Sequence, residues 1–202
     1  MLVLIKGAGD LATGTAVRLY RAGIKVVMTE VAQPTAVRRT VAFSQCMYDG
    51  AAQVEGISAR RAEDAGAARR ALERGEVPVL CDPEAAILRE LSFDGVVDAI
   101  LAKRNLGTAI TDAPVVLALG PGFTAGVDCH GVVETMRGHN LGRLLTQGSA
   151  APNTGVPGDV GGYTTQRIIR APADGAFEPL AAIGQRVEEG QPVARVAGRT
   201  AR

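Results

Sequence analysis

Two glycines near the start of the chain, Gly7 and Gly9, have the spacing of a loop that binds a phosphate group. Residues 7–12, GAGDLA, fit the pattern G-x-G-x-x-G/A. In that pattern the first glycine permits a tight turn, the second lets a pyrophosphate approach the backbone, and a small third residue, here Ala12, lets a helix pack close to a strand. Free N–H groups at the helix N-terminus then face the anion. We therefore predict a dinucleotide-binding turn.

Two acidic residues bear on this prediction in opposite ways. Glu30 ends the next predicted strand, at about the separation at which an acidic residue bonds the ribose hydroxyls of a dinucleotide. Asp10 would place negative charge beside the phosphate, and it could cap the helix instead. The alternative interpretation is a tight turn between strand and helix that binds no ligand, and both interpretations stay open at this point.

Two later segments could also hold an anion. Lys103 and Arg104 follow a predicted strand, and this pair of cations could bind phosphate or carboxylate. Gly120 and Gly122 lie in a second glycine-rich turn, whose backbone N–H groups could form a nest for phosphate. The alternative for the cations is exposed surface charge, and for the glycines it is a rigid turn between two strands.

The cysteines and histidines show no catalytic or metal-binding pattern. Cys46, Cys81 and Cys129 are odd in number and form no CxxC, which indicates reduced thiols in a cytoplasm. Neither His130, beside Cys129, nor His139 has the paired spacing of a zinc site, so we predict no metal. A cysteine here would be reactive only if a cation lowered its pKa, and no catalytic residue can be assigned.

The hydrophobic pattern predicts the elements that position these residues. The predicted strands are 2–6, 25–29, 77–81, 95–101 and 115–119, and the predicted helices are 11–22, 62–74 and 84–91. Polar or glycine residues follow most of these strands, and ligands sit outside the carboxyl ends of strands in an open parallel sheet. We predict an α/β fold, a Rossmann-like parallel sheet with helices on both faces and one binding crevice along one edge.

The chain divides into three predicted parts. Residues 1–147 form the Rossmann-like nucleotide-binding domain. Residues 148–167 are rich in Gly, Pro, Ser and Thr and form a linker or a long functional loop. Residues 168–202 show short strands and turns with no helix pattern, and form a small β-rich segment.

Composition and charge limit the class of protein. The 202 residues are 47% hydrophobic and 21% charged, which suits one α/β core with a small appendix. The net charge of +1 and the lack of a basic stripe argue against a nucleic-acid partner. No apolar run reaches membrane-spanning length, so we predict no membrane association. The first strand starts at Leu2 and leaves no room for a signal peptide, which predicts a cytoplasmic location.

Five blocks of sequence together resemble the YqeB-type accessory proteins of selenium-dependent molybdenum hydroxylases, relatives in role of the xanthine dehydrogenase maturation factors. The blocks are residues 7–30, 33–50, 97–108, 119–143 and 152–175. The resemblance implies a cytoplasmic factor that helps to insert or mature the molybdenum cofactor of a partner hydroxylase. It also implies four candidate site segments, 7–14, 34–40, 103–108 and 120–126, and so adds Thr13 to the cofactor-binding residues Gly7, Gly9, Asp10 and Ala12.

The tail from Ile168 resembles the first half of a barrel-sandwich hybrid of the biotinyl or lipoyl carrier type. The resemblance lies in Ala-Pro-x-x-Gly-x-Phe at 171–177, Ile-Gly at 183–184 and Gly-Gln-Pro-Val at 190–193. Carrier domains attach their cofactor to a lysine at a hairpin tip. We place the equivalent stretch at 177–180, which has no lysine, so no covalent biotin or lipoyl is expected. An open half-barrel leaves strand edges unpaired, which favours either dimerisation or disorder of this segment. We predict a homo-oligomer.

Three functions are therefore compatible with the sequence. The first is a maturation factor that binds a small-molecule nucleotide, such as molybdopterin cytosine dinucleotide. The second is an NAD(P)-dependent oxidoreductase with Glu30 on the ribose, although no recognisable acid–base pair follows. The third is a non-catalytic binding scaffold in which the glycines only build turns. Whether the chain is an enzyme stays open.

Overall fold

The computed structural model describes residues 1–202 as a mixed α/β structure with few helices. It divides into two compact units, Met1–Asn153 and Thr154–Arg202. The boundary falls inside the stretch 148–167 that the sequence marks as a linker. The first residues of that stretch belong to the first unit, because Gly148 accepts a hydrogen bond from the Ala125 N–H at 2.8 Å.

The first unit is built on a nine-stranded sheet with the order β3-β4-β5-β2-β1-β6-β7-β8-β9. The strands are β1 (Leu2–Lys6), β2 (Lys25–Glu30), β3 (Ala51–Val54), β4 (Ile57–Ala62), β5 (Val77–Cys81), β6 (Gly95–Asp98), β7 (Val116–Leu119), β8 (Gly131–Val133) and β9 (Leu144–Leu145). Neighbouring strands from β4 to β8 pair in parallel, whereas β3 and β9 pair antiparallel at the two ends of the sheet. The parallel strands all end at the same edge, which is called the carboxyl edge below.

Helices cover both faces of this sheet. The α-helices are α1 (Asp10–Arg21), α2 (Cys46–Asp49) and α3 (Ala65–Glu73), and the 3-10 helices of this unit are Arg39–Val41, Phe43–Gln45 and Ala86–Arg89. One further 3-10 helix, Thr165–Arg167, belongs to the second unit. Successive residues of a strand point to opposite faces. On β1, Ile5 packs with α1 and α2 on what we call the α1 face, and Leu4 packs with α3 and the Ala86–Arg89 helix on the α3 face. No helix is long and apolar enough to span a membrane.

Small side chains set the distance between α1 and the sheet. Ala12 and Ala16 lie one turn apart on the helix, and both are fully buried. Residues four apart lie on one face of a helix, so these two methyl groups form its contact surface. Ala12 therefore has the packing role that the sequence predicts for it.

The predicted strands agree with the structure better than the predicted helices do. Strands 2–6 and 77–81 are confirmed, and the strand predicted at 95–101 ends earlier, at Asp98. The helix predicted at 62–74 begins too early, because Ala62 ends β4 and the Asp64 carboxylate caps α3 by accepting the Ala67 N–H at 2.6 Å. The helix predicted at 84–91 is only the short 3-10 helix Ala86–Arg89.

The second unit is a three-stranded antiparallel sheet with the order β10-β11-β12. Its strands are β10 (Phe177–Pro179), β11 (Ala194–Val196) and β12 (Arg199–Ala201). The prediction that residues 177–180 form a hairpin tip is wrong, since Phe177 pairs with Val196 inside the sheet. The tight turn of this sheet is Ala197-Gly198, where both residues have positive φ, +48° and +77°. This turn has no lysine either.

Candidate functional site

Gly7 makes the turn between β1 and α1, and two observations require glycine there. Its φ is +93°, a conformation that residues with a side chain rarely adopt. A Cβ at this position would lie 3.0 Å from the Ala99 oxygen and from the Ile100 Cα. The Gly7 N–H donates to the Thr29 oxygen at 2.8 Å, which ties the turn to β2. The predicted tight turn is therefore present at the carboxyl edge.

Gly9 precedes the first residue of α1, and the fold itself does not require glycine there. Its φ is −64°, which any residue can adopt, and no atom lies within 4 Å of the position that a Cβ would occupy. The mouth of the turn is therefore open space beside the free N–H groups at the start of α1. This is the space that a pyrophosphate needs in the dinucleotide-binding pattern.

Glu30 lies beside this turn, as its place at the end of β2 predicts. One carboxylate oxygen accepts the Ala8 N–H at 2.9 Å, and the other accepts the Val31 N–H at 2.8 Å. The side chain is half-buried and holds the glycine turn in place. A carboxylate offers about four lone-pair positions, so Glu30 can still accept hydrogen bonds from ribose hydroxyls.

Asp10 does not cap α1, because the cap position Gly9 has no side-chain hydrogen bond and Asp10 is the first helical residue. Its carboxylate instead forms an ion pair with Arg38. The ion pair brings together two candidate segments, 7–14 and 34–40. A cavity of about 340 Å³ lies beside this pair, and its wall includes Gly14 and Gln53. Arg38 thus offsets the negative charge that stands against phosphate binding at this helix end.

Thr13 is buried and bonds to the protein rather than to the mouth of the turn. Its hydroxyl donates to the Ala8 oxygen at 3.2 Å and accepts the Phe43 N–H at 2.8 Å. The Ser44 N–H also donates to the Ala8 oxygen, at 2.8 Å. Thr13 therefore fastens the turn to the segment that leads into α2, and this positions the turn.

The segments around Arg104 and Gly122 lie against each other. Lys103 and Arg104 are exposed. A Cβ at Gly122 would lie 2.5 Å from the Arg104 nitrogen, and one at Gly120 would lie 2.7 Å from the Thr135 hydroxyl oxygen. Close packing therefore explains both glycines, as in the rigid-turn alternative. Phosphate binding by this turn and by the two cations stays a prediction.

Sequence reasoning missed three buried polar side chains, Lys6, Thr108 and Asp98, that hydrogen bonds link at the centre of the carboxyl edge. Lys6 and Asp98 are register partners on adjacent strands β1 and β6. The Lys6 Nζ donates to the Thr108 hydroxyl oxygen at 2.6 Å, and that hydroxyl donates to the Asp98 Oδ2 at 2.6 Å. The signal in the sequence is a lysine that ends the otherwise apolar strand LVLIK.

One comparison with known proteins bears on the resemblance. The chain is 54% identical over 193 residues to the uncharacterized protein YqeB of Escherichia coli (strain K12), a match that covers 96% of this chain. This identity supports the resemblance of the chain to the YqeB family. The match covers 36% of YqeB, so the chain spans about a third of the length of that relative. No family model matches the chain, and no solved structure matches it.

The three thiols of this relative of YqeB differ in their surroundings. Cys46 is buried beneath the α1 face, and this burial raises the pKa of its thiol to about 12. Burial also raises the pKa of Cys129, whose thiol donates to the Gly131 oxygen at 3.3 Å. Cys81 is exposed at the end of β5. A thiolate is the reactive form of cysteine, so Cys46 is a packing residue rather than a nucleophile.

Thiol labelling tests this assignment. We expect a disulfide reagent at pH 8 to modify one thiol of the native protein quickly, Cys81, and to modify Cys46 at least about a hundredfold more slowly, because burial raises the pKa of the Cys46 thiol and shields it from the reagent. In guanidinium all three thiols should react. The Cys81→Ser variant is the control and should lose the fast phase. Fast labelling of native Cys46, identified by peptide mass spectrometry, would contradict the assignment.

Proposed function

We propose that this chain binds a dinucleotide at the mouth of the Gly7–Gly9 turn and acts as a maturation factor for a selenium-dependent molybdenum hydroxylase. The open space at Gly9 is the observation that carries the binding proposal. It lies at a carboxyl edge, after the first strand, and at the start of a helix of 12 residues. The identity with YqeB supports the family resemblance from which the pathway is taken.

The strand order supports a Rossmann-like arrangement for the first unit. Counted along the chain without the β3–β4 hairpin, the strands β5-β2-β1-β6-β7-β8 have the order 3-2-1-4-5-6 of the doubly wound dinucleotide-binding fold. In that fold the ligand lies where the order reverses, here between β1 and β6. The departure is that no α-helix connects β5 to β6, β6 to β7 or β7 to β8, and a 3-10 helix is the only helix between β5 and β6. The small sheet of the second unit is compatible with part of a barrel-sandwich hybrid.

Each residue near the turn has a distinct part in the proposed binding. The amides that follow Gly9 would donate to the diphosphate, with support from the partial positive charge of the α1 N-terminus. Glu30 would accept a ribose hydroxyl while it holds the Ala8 N–H. Arg38, paired with Asp10, would keep the local charge from opposing the phosphates. The ligand that suits the proposed role is molybdopterin cytosine dinucleotide, taken as a substrate or cargo.

Glu30 also favours a second candidate, an NAD(P)-dependent oxidoreductase. An acidic residue at the end of the second strand is the ribose contact of NAD-binding proteins. A dehydrogenase would bind NAD(P) on its own and transfer hydride to or from a substrate. A maturation factor would bind the pterin dinucleotide or require the partner hydroxylase.

Native mass spectrometry of freshly purified protein distinguishes these candidates. We expect a fraction of the protein to carry extra mass equal to a pterin dinucleotide, because a diphosphate held by several backbone amides dissociates slowly. Retained NAD(P) would favour the oxidoreductase. If neither dinucleotide is retained and neither binds when added, the dinucleotide proposal is wrong. The same spectra report whether the protein is a homo-oligomer.

A further inference from the structure

A second cavity, of about 550 Å³, lies at the carboxyl edge on the α3 face of the sheet. Its wall includes the end of β1, the segment around the Ala86–Arg89 helix, and the loop after β6. The charged residues of the wall are Lys6, Glu84, Arg89 and Asp112. Small-molecule sites usually have volumes of about 300–1,000 Å³. The cavity is therefore large enough for a small ligand.

Lys6 gives this cavity a buried positive charge. The residue is 2% exposed, and its side chain is among the largest of the fully buried side chains of the protein. An ammonium group has three N–H donors, and Lys6 uses one of them, on Thr108. No ion pair joins its Nζ to a carboxylate. A buried cation with two remaining donors is costly unless an acceptor satisfies them.

The hydrogen bonds behind Lys6 hold this side chain in place. Because the Thr108 hydroxyl donates to Asp98, its lone pairs are directed toward the ammonium, and the aspartate charge acts on Lys6 through the hydroxyl. The Ile100 N–H holds the other Asp98 oxygen at 3.2 Å. Asn105 fixes the loop around Thr108 by accepting its N–H at 2.8 Å. Thr108 and Asp98 are therefore positioning residues for Lys6.

We propose that the cavity beside Lys6 binds an oxyanion, a phosphate or carboxylate group of a small polar molecule, with Lys6 as its charge partner. The two remaining N–H donors of Nζ supply charge-assisted hydrogen bonds to that group. The position suits a ligand, because Lys6 ends β1 and ligands of open parallel sheets lie outside the carboxyl ends of the strands. The carboxylates of Glu84 and Asp112 on the wall can accept hydrogen bonds from donor groups of such a molecule.

This site is independent of the dinucleotide proposal. Lys6 follows Leu4 by two residues on β1 and so belongs to the α3 face, whereas α1 packs on the other face. Gly9, Glu30 and Arg38 are not part of the cavity wall. A Gly9→Val variant should therefore bind oxyanions at Lys6 as the wild type does, and a failure of one proposal leaves the other testable.

Calorimetric titration with inorganic phosphate and with succinate tests the proposal. We expect Lys6→Met, which keeps the shape of the side chain and removes its charge, to lower the affinity for the bound anion by about 10- to 100-fold, the range for hydrogen bonds to charged groups. Lys25→Met is the matched control and should leave the affinity unchanged. Lys25 is exposed at the start of β2, at the edge of the sheet opposite to the carboxyl edge where Lys6 lies. Binding of phosphate alone or succinate alone identifies the source of the oxyanion. If the wild type binds neither anion, or Lys6→Met binds both equally well, the proposal is wrong.

Lysine labelling of the wild-type protein gives a second test that does not depend on a variant folding. The chain has three lysines, Lys6, Lys25 and Lys103, so each can be followed by peptide mass spectrometry. We expect the anion that binds to slow acetylation of Lys6 at least tenfold and to leave Lys25 unchanged. Equal labelling of Lys6 with and without both anions would overturn the proposal.

Discussion

Replacement of Gly9 by valine should abolish dinucleotide binding and leave the protein folded. The fold tolerates the side chain, since φ at this position is −64° and no atom lies within 4 Å of a Cβ there. The ligand does not tolerate it, because the two branches of valine fill the space that the diphosphate would occupy. Loss of two charge-assisted hydrogen bonds, each worth about 1.5–3 kcal/mol, lowers affinity by more than about 100-fold.

Gly14→Val is the matched control for this experiment. Gly14 lies on α1, is exposed, and has no atom within 4 Å of its Cβ position. The same side chain is therefore added five residues further along the chain, on the wall of the 340 Å³ cavity rather than at the mouth of the turn. We expect both variants to keep the circular dichroism spectrum and unfolding midpoint of the wild type within a few degrees. Equal dinucleotide affinity of Gly9→Val and Gly14→Val would show that the diphosphate does not bind at the mouth of this turn.

The first turn was predictable from the sequence because every interaction that defines it is local or belongs to one βαβ unit. Gly7 supplies the positive φ, Ala12 the close packing, and Glu30 ends the next strand of the same unit. The spacing of the glycines in the sequence is therefore enough to predict the turn between β1 and α1. The partner of Asp10 was not predictable, because Arg38 lies in a loop with no periodic pattern.

Lys6 shows what the sequence alone could not provide. Its neighbours Asp98 and Thr108 lie about a hundred residues away along the chain, and they reach Lys6 only because β6 pairs with β1. The helix predicted at 62–74 has a similar explanation. The Ala- and Arg-rich pattern fits a helix from its first residue, but Ala62 lies in a strand because β4 pairs with β5 on one side and β3 on the other.

The glycines of the second glycine-rich turn fit either close packing or ligand binding, and a substitution at Gly122 distinguishes the two explanations. A phosphate nest and a tightly packed turn need the same residue type in sequence, since both use positive φ. In the structure Gly120 has a φ of +77° and Gly122 a φ of +109°, and the space beside each is filled by protein atoms. Packing therefore predicts a large loss of stability on substitution, whereas a nest predicts a loss of ligand affinity.

We expect Gly122→Ala to lower the free energy of unfolding by about 4 kcal/mol, the sum of the strain at positive φ and of overpacking. The overpacking is severe because the new Cβ would lie 2.5 Å from the Arg104 nitrogen and 2.6 Å from its Cα, and backbone atoms cannot rotate away.

Gly126→Ala is the matched control. Its φ is +85°, but no atom lies within 4 Å of its Cβ position, so only the backbone strain should lower its free energy of unfolding, by about 1–2 kcal/mol. Urea unfolding followed by circular dichroism measures both variants. Because the two substitutions share the backbone strain, the difference between them isolates the contact between the turn and Arg104. Equal losses of unfolding free energy in the two variants would mean that the loops are not packed as the structure has them. An unchanged stability of Gly122→Ala with a reduced affinity for a phosphate-bearing ligand would favour the phosphate nest.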